Sequence, residues 1–168
     1  MSPESITIFT DGAARGNPGP GGWGAIVIVN GKVMELGGRE AHATNNRMEL
    51  MGAIEGLKRV KDTKGRIFVY SDSTYIVLGM SEWVARWVRN GWKTAARKRV
   101  ENQDLWERLL AAAEDKEIQW KRIDGHAGVA GNERCDKIAT AFADGKNVSL
   151  YSGPLEKCPI KHILDILK

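Results

Sequence analysis

Apolar positions along the chain change their period several times, and each change marks an element. Residues 5–10 alternate polar and apolar side chains, are rich in β-branched residues, and predict a strand that ends at Asp11. Residues 12–22 hold five glycines and two prolines, which predicts a loop. Residues 23–29 predict a second strand, Asn30-Gly31 a two-residue hairpin turn, and residues 32–38 a third, antiparallel strand. Met48, Leu50, Met51, Ile54, Leu57 and Val60 then recur at helical spacing behind Thr44-Asn45-Asn46, so a capped amphipathic helix should begin near Asn46. Residues 66–71 read as a buried strand stopping at Asp72.

Two short helices follow, over 73–79 and 82–90, the second closed by Gly91. A basic irregular arm spans 92–102, a helix 103–113, a fifth strand 117–123 and a loop 125–131. The next helix covers 132–143 with Asn132 as its cap, and residues 159–167 are expected either to dock a brief amphipathic helix through Ile160, Ile163, Leu164 and Leu167 or to be disordered. Joined in this order, the elements predict an α/β fold. It is a five-stranded mixed sheet, three antiparallel strands then two parallel, flanked by helices on both sides. A right-handed helical crossover makes the first and fourth strands parallel neighbours and sets Asp11 beside Asp72 at the strand ends. Residues 1–145 form the expected domain; 146–168 are an extension to which the pattern gives no role.

The 168 residues suffice for one ordinary domain, and 42% hydrophobic with 27% charged residues is the balance of a soluble globular chain. No stretch approaches the ~20 apolar residues of a membrane helix. The first residues lack the basic and apolar regions of an export signal. Cys135 and Cys158 form neither a metal-ligand spacing nor a disulfide framework, so a reducing, cytoplasmic setting is expected. A net charge of +4 is mild, but its distribution is uneven. Between residues 81 and 100 lie six basic side chains (Arg86, Arg89, Lys93, Arg97, Lys98, Arg99), one acid, and three of the six tryptophans.

Against this basic background four acids stand in separate packets: Asp11 in Phe9-Thr10-Asp11-Gly12, Glu49 in Asn46-Arg47-Met48-Glu49, Asp72 in Tyr70-Ser71-Asp72-Ser73, and Asp136 in Glu133-Arg134-Cys135-Asp136. Taken singly, each could be a helix cap or a solvated strand end. Brought together at one sheet edge, four carboxylates repel strongly unless cations sit between them. A divalent-metal site acting on a polyanion is the best account of such a cluster in a basic protein.

These packets, with Gly16-Asn17-Pro18-Gly19, Thr44-Asn45-Asn46, Gly91-Trp92-Lys93-Thr94, Asp104-Leu105-Trp106 and Gly125-His126-Ala127-Gly128, resemble the bacterial type 1 ribonuclease H family in order and spacing over residues 5–143. The resemblance implies a ribonuclease H-like fold and an endonuclease that hydrolyses the RNA strand of RNA–DNA hybrids. The expected products carry 5′-phosphate and 3′-hydroxyl ends, and the biological tasks are R-loop and RNA primer removal. It implies Asp11, Glu49, Asp72 and Asp136 as ligands of two Mg²⁺, with Mn²⁺ equally acceptable to such hard oxygen donors. His126 matches a proton-shuttling histidine, a task suited to an imidazole that titrates near neutrality.

The same resemblance implies hybrid contacts at Asn17, Asn45 and Asn46. It also implies a DNA-phosphate pocket at Thr44 and Asn102, and a basic protrusion over about 82–102 in which Trp83, Trp87, Lys93, Arg97 and Lys98 grip the hybrid. Trp83 and Trp87 lie four apart on one helical face, where core packing is their alternative use; Trp92 and Trp106 read as core. Two departures stand out: His42 replaces the family's usual pocket arginine, and Val129-Ala130-Gly131 follow Gly128 where a histidine and an acid are common. A monomer is expected. Two rival readings are a non-catalytic hybrid-binding module, which retention of all four acids disfavours, and a transposase or integrase core, for whose extra DNA-binding domains the chain has little room.

Overall fold

A computed structural model describes residues 5–125 and 127–166. The elements are β1 (Ile6–Ala14), β2 (Gly19–Val29), β3 (Lys32–Ala43), α1 (Asn45–Lys58), β4 (Ile67–Ser71), α2 (Thr74–Leu78), α3 (Val84–Arg89), α4 (Gln103–Ala113), β5 (Ile118–Arg122), α5 (Ala130–Ala143) and β6 (Ser152–Pro154). A π-helical turn, Gly79–Trp83, joins α2 to α3. The sheet order is β5-β4-β1-β2-β3-β6, with β1, β2, β3 and β6 antiparallel and β1, β4, β5 parallel. The expected mixed sheet is therefore present with six strands, not five. The sixth comes from the extension: β6 pairs Gly153 with Val33 on the outer edge of β3.

Alternation along the strands separates two cores. Ile6, Ile8, Ala25 and Val27 pack with Leu50, Ile54 and Leu57 of α1 and with Leu105, Trp106 and Leu109 of α4. Phe9, Ile26, Ile28 and Val33 point the other way, into a cluster with Val129, Cys135 of α5 and Ile163 of the extension. The period-2 pattern thus explains why helices cover both faces. Asn30 and Gly31 both take positive φ, 52° and 70°, as the two-residue hairpin requires.

Several boundaries differ from expectation: β2 begins at Gly19 and β3 runs on to Ala43, beyond the expected 23–29 and 32–38, because the two strands go on pairing as far as Gly19 with Ala43. β1 runs on to Ala14, because residues 12–14 pair with Trp23, Gly22 and Gly21 although their composition is that of a loop. α5 begins at Ala130 with Val129 at its cap, so Asn132 is a buried residue within the helix and not its cap. Residues 159–164 form bends and turns in place of the expected helix. Ile163 is buried there and Ile160 half-buried, while Leu164 is exposed; Leu167 lies outside the described residues.

Candidate active site

Asp11 sits inside β1, opposite Gly24 of β2, and Asp72 follows the last residue of β4. The parallel register pairs Phe9 with Tyr70, so two residues further both acids reach the same level of the sheet. Glu49 arrives from the first turns of α1, whose start is fixed by Thr44: its hydroxyl accepts from the Arg47 N–H at 3.2 Å. Helix and strand approach closely because Gly12 has no side chain. A Cβ there would overlap the backbone of Met48 and Glu49. One carboxylate oxygen each from Asp11, Glu49 and Asp72 lies within 4.8 Å of the others. Asp136, on an exposed turn of α5, lies outside this trio yet lines the same cavity of about 690 Å³, together with Asn45 and Arg15. All four predicted acids thus face one space.

Crowding is legible in the acids' proton affinities. Burial, followed by the charge of Asp72, pushes Asp11 up to about 7 from its ordinary 3.8, although the Gly12 N–H donates to its Oδ1 at 2.9 Å. Glu49 is raised well above the usual carboxylate range by burial and then by Asp11. Asp72 is raised chiefly by burial, with Asn132 beside it pulling the other way. Glu49 Oε2 is buried and has no hydrogen-bond partner among the described residues. An orphaned carboxylate oxygen costs free energy unless something positive meets it. The donor set, all hard oxygen, fits a small divalent cation.

One participant was missed by sequence reasoning. Asn132, 2% exposed, sends Nδ2 toward the Gly125 carbonyl at 3.4 Å and flanks Asp72, tying α5 to the loop before it. In sequence it reads as a helix cap; only the earlier start of α5 turns it inward. His126 lies outside the described residues.

Most of the other predicted residues gather in two neighbouring clefts, while Lys93 and Arg97 line neither and stand exposed on the arm. Asn17, Thr44, Asn45, Asn46, Glu101 and Asn102 line one of about 590 Å³. The Ala14 N–H donates to Asn45 Oδ1 at 2.6 Å and the Asn45 N–H to Asn17 Oδ1 at 2.9 Å. Both amides therefore spend their acceptor on the protein and present NH₂ donors outward. Asn102, in a left-handed conformation (φ 61°), is held at both ends. Its Oδ1 accepts from Arg47 Nη1 at 3.2 Å and its Nδ2 donates to the Tyr75 hydroxyl at 3.2 Å. The second cleft, about 340 Å³, is lined by Tyr75, Trp83, Trp87, Thr94 and Lys98 among others.

Trp83 and Trp87 stack obliquely, 5.8 Å between centroids, and Trp87 also meets Trp92 and Trp106. The pair is half-buried, so it serves packing and lines the cleft at once. Trp106 is fully buried, as expected, and Trp92 half-buried. The arm is less irregular than its sequence suggests. Trp92 N–H donates to the Trp87 carbonyl and Val100 N–H to the Trp92 carbonyl, closing a loop that displays Lys93, Arg97 and Lys98. His42 is exposed near the end of β3. A groove of about 740 Å³, lined by Lys64, Arg66 and Glu117 among others, holds none of the predicted residues.

The sequence profile of the RNase H family matches residues 3–144. The chain is 49% identical to a ribonuclease H of Thermosynechococcus vestitus over 150 residues, 88% of this chain and 94% of that protein. It is 48% identical to a ribonuclease H of Pseudomonas fluorescens, over 85% of this chain and 93% of that one. Among solved structures, LC9-RNase H1, a type 1 RNase H with the type 2 active-site motif, superposes with a TM-score of 0.79 at 31% identity, covering 94% of this chain and 81% of that one. LC11-RNase H1 in complex with RNA/DNA hybrid, at 23% identity and a TM-score of 0.66 over 83% of this chain and 97% of that one, shares the fold.

Proposed function

This chain belongs to the ribonuclease H family, and from that premise we propose that it is an endonuclease cutting the RNA strand of RNA–DNA hybrids. The observation that carries the reading is the close trio of buried Asp11 and Glu49 with half-buried Asp72, lining one cavity with Asp136 beside two clefts lined with donors, aromatics and cations. That LC11-RNase H1 was solved with a hybrid supports the substrate class.

Asp11, Glu49, Asp72 and Asp136 would hold two Mg²⁺, or Mn²⁺. When bound, the ions supply the positive charge that activates the attacking water and stabilises the leaving oxygen, leaving 5′-phosphate and 3′-hydroxyl ends. The protein's own part is positioning. Asn17 and Asn45, with acceptors already engaged, offer donors to groove-edge acceptors and to the 2′-hydroxyl oxygen that distinguishes RNA. Asn46 stands exposed beside them. Thr44, together with Asn102 in its fixed pose, takes a DNA-strand phosphate, with His42 near by in the place of an arginine. Trp83 and Trp87 pack on deoxyribose, while Lys93, Arg97 and Lys98 bind phosphates. His126, in the loop before α5, accepts and returns protons and eases product release.

Residues 1–145 form the catalytic domain. One chain carries every proposed group, which supports action as a monomer, and the free thiols Cys135 and Cys158 suit a reducing cytoplasm. Among the described residues no helix is long and apolar enough to cross a membrane. R-loop and primer removal are the proposed tasks. The test is a labelled hybrid incubated with Mg²⁺ beside duplex DNA and duplex RNA, with Asp11→Asn as control. Hybrid cutting that Asp11→Asn abolishes while binding persists supports the reading; binding without cutting, or cutting of duplex DNA, refutes it.

A further inference from the structure

Among charged groups that the proposed chemistry leaves unused, Glu35 of β3 is the most deeply enclosed. Only 1% of its side chain is exposed, and Arg134 of α5 grips it through Nε at 2.7 Å and Nη2 at 3.0 Å. The extension closes over this pair. The Tyr151 N–H donates to Glu35 Oε1 at 2.8 Å, Arg134 Nη2 donates to the Ser149 carbonyl at 2.7 Å, and the Glu35 N–H donates to the Tyr151 carbonyl at 2.8 Å. Three segments remote in sequence meet at one guanidinium, and no buried side-chain nitrogen or oxygen of the pair is left unpartnered among the described residues.

The helix that carries Asp136 has a reason to need such a pin. α5 crosses β2 and β3 over Gly22, Gly24 and Gly37, where any Cβ would run into Ala139, Cys135, Ile138 or Phe142. This bare floor brings the helix backbone onto the sheet, so the angle of roll about its axis is set by side-chain contacts along its flanks, among them Asn132 at the Gly125 carbonyl and Arg134 at Glu35. Residues 134 and 136 project roughly 200° apart around the helix. A guanidinium fork held on one flank therefore sets the angle at which the other flank meets the cavity. With side-chain ends ~5 Å from the axis, a roll of ~10° moves a carboxylate by ~1 Å. A shift of that size at a reacting site costs on the order of 10²-fold in rate.

We infer that Arg134, locked by Glu35 and by residues 149–151 of the extension, is a positioning residue for Asp136, so that the extension serves the active site without touching it. The inference rests on the proposed role of Asp136 in metal binding.

Two variants test it, both studied well below their melting temperatures: Arg134→Lys, which keeps the charge and loses the fork, and a chain ending at residue 146. Mg²⁺ is titrated against the Asp136 amide resonance in the absence of nucleic acid, and kcat and KM are measured on hybrid. The expected result is a several-fold weaker Mg²⁺ midpoint at Asp136 and a kcat lower by 10-fold or more, with KM for hybrid unchanged. Melting temperatures that fall while the Mg²⁺ midpoint and kcat stay at wild-type values would overturn it, leaving a pin that only stabilises the fold. If the shortened chain fails to fold, Arg134→Lys decides alone. Failure of the wild-type protein to cut hybrid would sink the proposed function instead, and the Asp136 titration would still report on the pin.

Discussion

Replacing Asp11 by Asn should stabilise the metal-free protein at neutral and alkaline pH, the reverse of what removing a buried polar contact normally does. The side chain keeps its shape, and Oδ1 still accepts the Gly12 N–H at 2.9 Å. What disappears is a proton equilibrium. Asp11 stands at about 7 in the folded protein against 3.8 ordinarily, so the folded state binds this proton more tightly than the unfolded chain. The stability it represents is whole below pH ~4 and is lost as pH climbs through the folded value near 7. At about 1.36 kcal/mol per pKa unit the loss approaches 4 kcal/mol above pH 8, an upper bound for the single group. For a chain of this length each kcal/mol moves the melting temperature by ~2–4 °C. In EDTA, wild type and Asp11→Asn should therefore melt close together at pH 4 and diverge to ~10 °C by pH 8, with the variant higher. Added Mg²⁺ should narrow the gap by stabilising wild type alone. Urea melts at half-unit pH steps, with and without EDTA, measure this. Parallel curves from pH 4 to pH 8 would refute the claim that Asp11 is held in a carboxylate cluster.

Gly12→Ala forces a Cβ into the backbone of Met48 and Glu49; it should cost about 3 kcal/mol in urea unfolding and abolish cleavage by pushing α1 away from β1. Tyr75→Phe strands the Asn102 amide and the Trp106 indole N–H, which reaches the Tyr75 hydroxyl at 2.9 Å. A loss of about 2 kcal/mol in chemical denaturation is expected, and a loss below ~0.5 would show that both donors find other partners. Changing Lys93, Arg97 and Lys98 together to Gln should weaken hybrid binding and flatten its log K against log salt slope by up to ~3, read by anisotropy at several salt concentrations. An unchanged slope would remove the arm from the interface.

Strong local signals were read correctly from the amino acids. The hairpin at Asn30-Gly31, the helical recurrence from Met48 to Leu57, and the β-branched strand before Asp72 each carry their own physics, and tertiary packing agrees with it. What could not be read is structure that exists because of something distant. Residues 12–14 look like loop because glycine and alanine are poor strand formers, yet Gly12 is required there by the helix lying on it. Asn132 has the chemistry of a cap and is used as an interior donor, since Val129 takes the cap position three residues earlier. β6 is Ser-Gly-Pro, with no propensity for a strand, and forms only because β3 offers it an open edge. The four acids were legible as a set through their packets. The unequal depth of the set, three acids close together and Asp136 outside them, depends on where two glycine-floored helices come to rest.

Placing Asp11 mid-strand and not at a frayed end has an effect on molecules that fold badly. Were β1 to slip by one residue against β2, every side chain of the strand would change face, and Thr10 or Gly12 would stand where the acid belongs. Such a molecule would bring no complete set of carboxylates together, so an error in pairing produces an inert protein and not a careless nuclease.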